Sequence, residues 1–173
     1  KISQLLYHPS PELAAIELHV QKAKCEEIPP HQDNFYHQVH PLESLKILIP
    51  LQELNTKKGG LVFLDCDNTC EVLQHNPSKV KNFSSYIPSN VLKNLNFKKV
   101  SYDYELGDLS YHFVNSIHFS YGNKTDKDSL FIVYRYQIPN QVIDKNLKKK
   151  YDKCYKDHKK LCDIYHNIIF MYG

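Results

Sequence analysis

Four histidines and one aspartate crowd the twelve residues from Pro29 to His40, which read PPHQDNFYHQVH. Imidazole and carboxylate are common ligands of first-row divalent metals. His31 and Asp33 stand two apart, and in a β-strand residues i and i+2 point to one side. A His-x-Asp pair at a strand end therefore aims one imidazole and one carboxylate at a common point. A third imidazole from a distant strand would complete one face of an octahedron. That is the two-His-one-carboxylate pattern of non-haem Fe(II) sites, which leaves three positions open. The chain has ten His, so an isolated pair also fits a surface turn. His37 and His40 read as exposed polar residues on a short strand, NFYHQVH, and its turn. Cys66 and Cys70 with His75 suggest zinc only weakly, because a fourth ligand is missing and the spacing is poor.

The elements that must position these groups are mostly strands. SLKILIPLQEL is a nearly continuous apolar run, as in a buried strand. NTKKGG is a turn after it, and LVFLDCD is the next strand. GDLSYHFVNSIHFSY alternates after a Gly-Asp turn, and SLFIVYRYQI is a further strand. Residues 75–100 form a polar excursion that turns helical from Ser89. Near the start, Ser10, Pro11 and Glu12 carry the signature of a helix N-terminus. Leu147, Tyr151, Cys154, His158, Leu161, Tyr165 and Ile168 recur at spacings of four and three, one face of a long helix. They predict a C-terminal helix over about 142–170, with Lys148, Lys149, Lys153, Lys156 and Lys160 on its solvated side. Strands without regular intervening helices favour an antiparallel sandwich or barrel, a mainly β fold with flanking helices.

Composition narrows the function classes. The 173 residues suggest one domain, 1–173. The net charge is only +3 and Arg135 is the one Arg, which speaks against a nucleic-acid binder. No apolar run reaches the roughly 18 residues of a membrane span. Five Cys without a tight framework fit reduced thiols, and no signal peptide is visible, so a cytoplasmic location is expected.

Three blocks then occur in order: IPPHQDNFYH, LKILIPLQELNTKKGGLVFL and GDLSYHFVNSIHFSYGNKT. Together they resemble the phytanoyl-CoA dioxygenase family of Fe(II)/2-oxoglutarate oxygenases over roughly residues 16–137. In that family an HQD-x-x-Y motif is followed by an apolar strand, an NGGL-like turn and an H-x-S-x-x-N-x-S/T segment, here His118, Ser120, Asn123 and Thr125. The resemblance implies a double-stranded β-helix, a cupin-like jelly-roll, with its core at about 16–137. It implies that His31, Asp33 and His118 hold Fe(II), and that dioxygen and 2-oxoglutarate are cosubstrates in hydroxylation of a small molecule. His112 competes for the distal position but falls where the family usually has an apolar or aromatic residue. A related halogenating subgroup has Ala or Gly at the carboxylate position, so Asp33 favours hydroxylation.

The sequence also departs from the family. An Arg normally holds the distal carboxylate of 2-oxoglutarate eleven residues after the second His, and Ser129 stands there. Arg135 lies six residues on, about 20 Å along a strand, and does not simply replace it. A buried carboxylate without a cation is costly. The JmjC-type branch of the superfamily looks similar in placing a Lys on the corresponding strand. Lys46 is therefore the expected cation, with Ser120 and Tyr36 as further contacts. FLDCDN replaces the family's usual PGSH, and its Cys66, Asp67 and Asn68 would change the substrate loop. Two other readings remain open: a non-catalytic jelly-roll that binds a small molecule or protein, and a cupin-like metalloenzyme that needs no 2-oxoglutarate.

Overall fold

The computed structural model describes residues 3, 6, 8–66 and 71–172, with side chains as far as Asp163. Asp67, Asn68 and Cys70 lie outside the described residues, as do the side chains of Tyr165 and Ile168. The strands are β1 (Glu12–Gln21), β2 (Ile28–His31), β3 (Val39–His40), β4 (Ser44–Pro50), β5 (Val62–Cys66), β6 (Asn76–Pro77), β7 (Ser85–Tyr86), β8 (Phe97–Ser101), β9 (Ser110–Phe113), β10 (Ile117–Ser120), β11 (Ser129–Gln137) and β12 (Val142–Ile143). Helices α1 (Asn34–His37), α2 (Ser89–Leu92) and α3 (Lys145–Tyr172) complete the chain. Two four-stranded antiparallel sheets, in the orders β1-β11-β4-β9 and β2-β10-β5-β8, make the jelly-roll.

Period-two alternation explains the strands. On β4, Ser44, Lys46, Leu48 and Pro50 are all buried. On β11, Ser129, Phe131 and Val133 are buried while Leu130 and Ile132 are half-buried. Leu48, Leu54, Tyr104, Phe131 and Val133 form one apolar cluster between the sheets. A second cluster, with Val62, Leu64, Ile87, Ile117 and Phe119, seals β5 and β10 against the excursion that contains α2.

Three expectations change. The residues after Ser10 are not helical: Glu12–Gln21 is a strand paired along its length with β11. A short isolated helix is marginal, and the long ladder overrides the local capping signal. NFYHQVH is not a strand, since Asn34–His37 forms a helical turn and only Val39–His40 is extended. The C-terminal helix begins at Lys145 rather than 142, because Val142–Ile143 pairs with β3. Asp144 then caps the helix, accepting the N–H groups of Asn146 and Leu147 at 2.9 and 3.0 Å. On α3, Leu147, Cys154 and His158 are buried and the five named Lys are exposed. The helix docks through Leu147 and Cys154 on Phe35, and His158 Nδ1 donates to Ser78 O at 2.7 Å. No helix among the described residues is long and apolar enough to cross a membrane.

Candidate metal centre

His31 closes β2 and stands directly opposite His118 on β10. Cross-strand neighbours of this kind bring their side chains together, and the two ring centroids are 4.2 Å apart. Asp33 arrives differently from expectation. It lies beyond the strand, with φ −60° and ψ −32°, at the N-cap position of α1. The chain's turn from strand into helix, not strand periodicity, swings its carboxylate back beside His31. One ligand atom each from His31, Asp33 and His118 then lies within 4.8 Å of the others. All three residues are buried.

The hydrogen bonds preset the imidazoles. His31 Nδ1 lies 3.0 Å from Pro29 O, and His118 Nδ1 lies 3.0 Å from Ser116 O. A carbonyl only accepts, so each Nδ1 carries the proton and each Nε2 keeps its lone pair. Such outer partners are what orient metal-ligating histidines. Burial pushes the pKa values of His31 and His118 down, which keeps both rings neutral. Burial opposes a charge on Asp33, but His118, His112 and Lys46 around it outweigh that and hold its carboxyl well below the usual range. Asp33 Oδ2 is buried without a hydrogen-bond partner, as expected of an oxygen reserved for a cation.

Gln32, between the two ligands, fixes the turn. Its amide donates to Glu71 O and Asn115 O at 3.0 and 2.8 Å, and its Oε1 accepts from Leu73 N–H at 2.7 Å. Its backbone N–H reaches His75 Nε2 at 3.2 Å, while His75 Nδ1 donates to Leu73 O. His75 is thus a structural support, and its ring stacks on Phe35.

The other expected residues fall into two groups. Lys46 points inward, its Nζ 3.1 Å from Asp33 Oδ1. Ser120 shares the inward side of β10 with His118, but its hydroxyl donates to Gly59 O at 3.0 Å and accepts Gly122 N–H at 3.1 Å. Tyr36 sets its ring edge-on to His31 at 6.0 Å, while its hydroxyl donates to Ser85 O and accepts from Ser85 Oγ. Ser129 is buried, with Asn123 Nδ2 3.4 Å from its hydroxyl and Gln21 opposite it on β1.

Two histidines differ from the sequence reading. His112 is buried on β9, in register with Lys46, with its Nε2 3.5 Å from Asp33 Oδ2. His37 is not a bystander on a strand: it ends α1 with Nε2 buried and without a partner, and burial pushes its pKa down to about 4. His40 is exposed, as expected. The signal for His112 was its even spacing from Ser110 on an alternating strand.

A cleft of about 680 Å³ opens beside the cluster. His112 and Phe63 line it, and both rings also pack near His118. Tyr102, Tyr104 and Tyr111 add aromatic wall, and its charged lining groups are the carboxylates Asp65, Asp103 and Asp108.

Comparison with known proteins places the fold. No family model matches the chain. No curated protein matches it either. Among solved structures, the non-heme monooxygenase ThoJ superposes with a TM-score of 0.66 at 14% identity, over 94% of this chain and 70% of that one. The alpha-ketoglutarate-dependent epimerase SnoN from nogalamycin biosynthesis, crystallised with Fe3+, alpha-ketoglutarate and nogalamycin RO, superposes with a TM-score of 0.62 at 16% identity, over 82% of this chain and 55% of that one. EvdO2 from Micromonospora carbonacea var. aurantiaca, in complex with 2-oxoglutarate, gives 0.60 at 18% identity, over 82% of this chain and 59% of that one. The chain therefore spans little more than half the length of SnoN and EvdO2. At these identities the likeness is one of fold: the chain shares its jelly-roll with these proteins.

Proposed function

We propose that the chain is a non-haem Fe(II)/2-oxoglutarate-dependent oxygenase of the phytanoyl-CoA dioxygenase type that hydroxylates a C–H bond of a small molecule. One observation carries this reading: two neutral imidazoles, with Nε2 preset by their Nδ1 bonds, meet an ionised carboxylate whose Oδ2 accepts no hydrogen bond in a buried spot. That donor set fits Fe(II). Bound iron supplies the oxidation in which 2-oxoglutarate and dioxygen become succinate and carbon dioxide and a C–H becomes C–OH.

The chain's own residues do the rest. His31, Asp33 and His118 hold the metal and leave its other positions open. Lys46 keeps one N–H on Asp33 Oδ1 and has two more for the distal carboxylate of 2-oxoglutarate. Ser120 donates to that cosubstrate by turning its hydroxyl away from Gly59 O, and Tyr36 walls the site beside His31. The substrate approaches along the cleft that Phe63 and His112 line. With aromatic walls and only carboxylates as charged groups, that cleft suits a neutral or cationic molecule better than an anion.

The test is succinate release from 2-oxoglutarate with Fe(II) in air, by wild type, Asp33→Ala and Lys46→Ala. Iron-dependent release that both substitutions abolish supports the reading. Release unaffected by Lys46→Ala removes Lys46 from the cosubstrate site, and no release with no 2-oxoglutarate binding removes the activity. A second reading, a ligand-binding jelly-roll without turnover, is favoured by the Lys46–Asp33 ion pair, which neutralises the carboxylate within the protein. It predicts metal and ligand binding with no succinate.

A further inference from the structure

Charge is unevenly spread over this chain. It carries 22 basic and 19 acidic side chains, yet the cleft beside the metal cluster is lined, among the described residues, by three carboxylates and by no Lys or Arg. Asp65, Asp103 and Asp108 are exposed, and none of them has an ion pair among the described residues. Lys98 stands opposite Asp65 on β8 but neither pairs with it nor lines the cleft. Asp108 accepts Glu105 N–H through Oδ2 at 2.8 Å, which leaves Oδ1 for another donor. A cleft lined by one sign of charge concentrates ligands of the other.

Strand register gives the cleft an inner and an outer end. On β5, Phe63 stands opposite His118, and Asp65 follows two residues on along the same side, about 7 Å further out. On β9, Ser110 and His112 share one side, and Asp108 precedes the strand, about 13 Å of chain from His112. The rest of the wall is largely apolar and aromatic, with Tyr102 and with Tyr104, whose hydroxyl donates to Ser110 Oγ at 2.9 Å. At the inner end, His112 is only 6% exposed, and neither ring nitrogen has a hydrogen-bond partner. Its Nε2 lies 3.5 Å from Asp33 Oδ2, so the ring stands between the metal ligands and the cleft. Buried polar groups are nearly always paired, so this imidazole marks the place of a polar group on the ligand.

We propose that the cleft takes an organic amine in one orientation: its ammonium at the mouth among Asp65, Asp103 and Asp108, its apolar body along the aromatic wall, and a polar-substituted carbon at His112, beside the metal. This rests on the function proposed above and gives it a substrate class. An ammonium at the mouth keeps much of its hydration while gaining the carboxylates, and the aromatic faces next to it also attract a cation. An anion meets like charge there, and a neutral molecule gains nothing from it. The C–H that is oxidised is therefore remote from the nitrogen, by about 7–13 Å at the rise of a strand.

The experiment loads the full chain with Mn(II), a paramagnetic ion that relaxes nearby protons, and reads binding rather than turnover. The probes are 6-amino-1-hexanol, 1-hexanol and 6-hydroxyhexanoate, which share a hydroxyl and differ in charge at the other end. Calorimetry should rank them in that order, with the amine tighter than 1-hexanol by about fivefold or more and this advantage lost at high salt. Asp65→Asn combined with Asp103→Asn, both at exposed positions, should weaken the amine by about threefold or more and leave 1-hexanol unchanged. Mn(II) should relax the methylene beside the hydroxyl faster than the one beside the nitrogen. Equal affinity for amine and alcohol, no binding of any probe, an unchanged amine affinity in the double variant, or faster relaxation beside the nitrogen overturns the proposal and leaves the function standing. If wild type holds Mn(II) no better than Asp33→Ala does, the metal centre and the function fall, and the orientation falls with them.

Discussion

Lys46 and Leu48 lie two residues apart on the inward side of β4, and Arg135 and Val133 lie opposite them on β11. One step along the same pair of strands therefore separates two kinds of interior. Leu48 and Val133 join Leu54, Tyr104 and Phe131 in an apolar cluster. Lys46 pairs with Asp33, while Arg135 Nε, His37 Nε2 and both ring nitrogens of His112 are buried without a hydrogen-bond partner. A buried polar group left unpaired costs about 1–3 kcal/mol, so the second half weakens the metal-free protein. The first half supplies the burial that lets the fold tolerate it. The contrast is the one expected if, as proposed, the polar end is shaped for a ligand rather than for packing.

The comparison breaks if the apolar half does not carry stability. Leu48 is fully buried, and Leu48→Ala should cost about 2–5 kcal/mol through lost burial and the cavity left behind. Urea unfolding of the metal-free protein measures this. A loss below about 1 kcal/mol would mean that the cluster collapses freely and is not the stabilising half.

The polar half also has a rigid part, and pH separates it from the rest. His75 must be neutral to accept Gln32 N–H through Nε2 while Nδ1 donates to Leu73 O. Burial pushes its pKa from 6.5 down to about 4. The unfolded chain then binds more protons between these values, so stability falls as the solution is acidified. The contribution is intact above pH 6.5 and lost by about pH 4. It amounts to about 3 kcal/mol, at 1.36 kcal/mol per unit. Urea midpoints of the metal-free protein at pH 7 and pH 4.5 should differ less in His75→Gln than in wild type. An identical pH dependence in the two proteins would show that His75 is not the group being titrated.

Much of this was legible in the residues, for physical reasons. The strands β4, β5 and β11 announce themselves by apolar runs and alternation, and the Cys154–His158 stripe by its helical period. The blocks around His31, Asp33 and His118 single out three residues that the structure brings together, one ligand atom of each within 4.8 Å of the others. What the sequence hid depended on register. The Ser10–Glu12 cap is a real local signal that loses to a strand partner more than a hundred residues away. His112 and Arg135 are remote from each other along the chain, and only the pairing of β9, β4 and β11 sets them either side of Lys46. His37 was hidden because a helical turn, invisible to a period-two reading, rotates it inward.

Arg135→Met sharpens the contrast at its finest point, since Arg135 and Val133 share one strand, one side and nearly one position. If Arg135 is present for a ligand, its removal should not harm the metal-free protein. Methionine fills similar volume without a donor, removes an unpaired buried Nε, and relieves the repulsion with Lys46. The metal-free protein should therefore be unchanged or more stable by about 1 kcal/mol, whereas Val133→Ala should lose at least that much. Paired thermal or urea melts decide it. A clear loss of stability in Arg135→Met would mean that the guanidinium holds the fold together in its ligand-free form. The boundary between packing and chemistry would then run beyond Arg135 rather than between it and Val133.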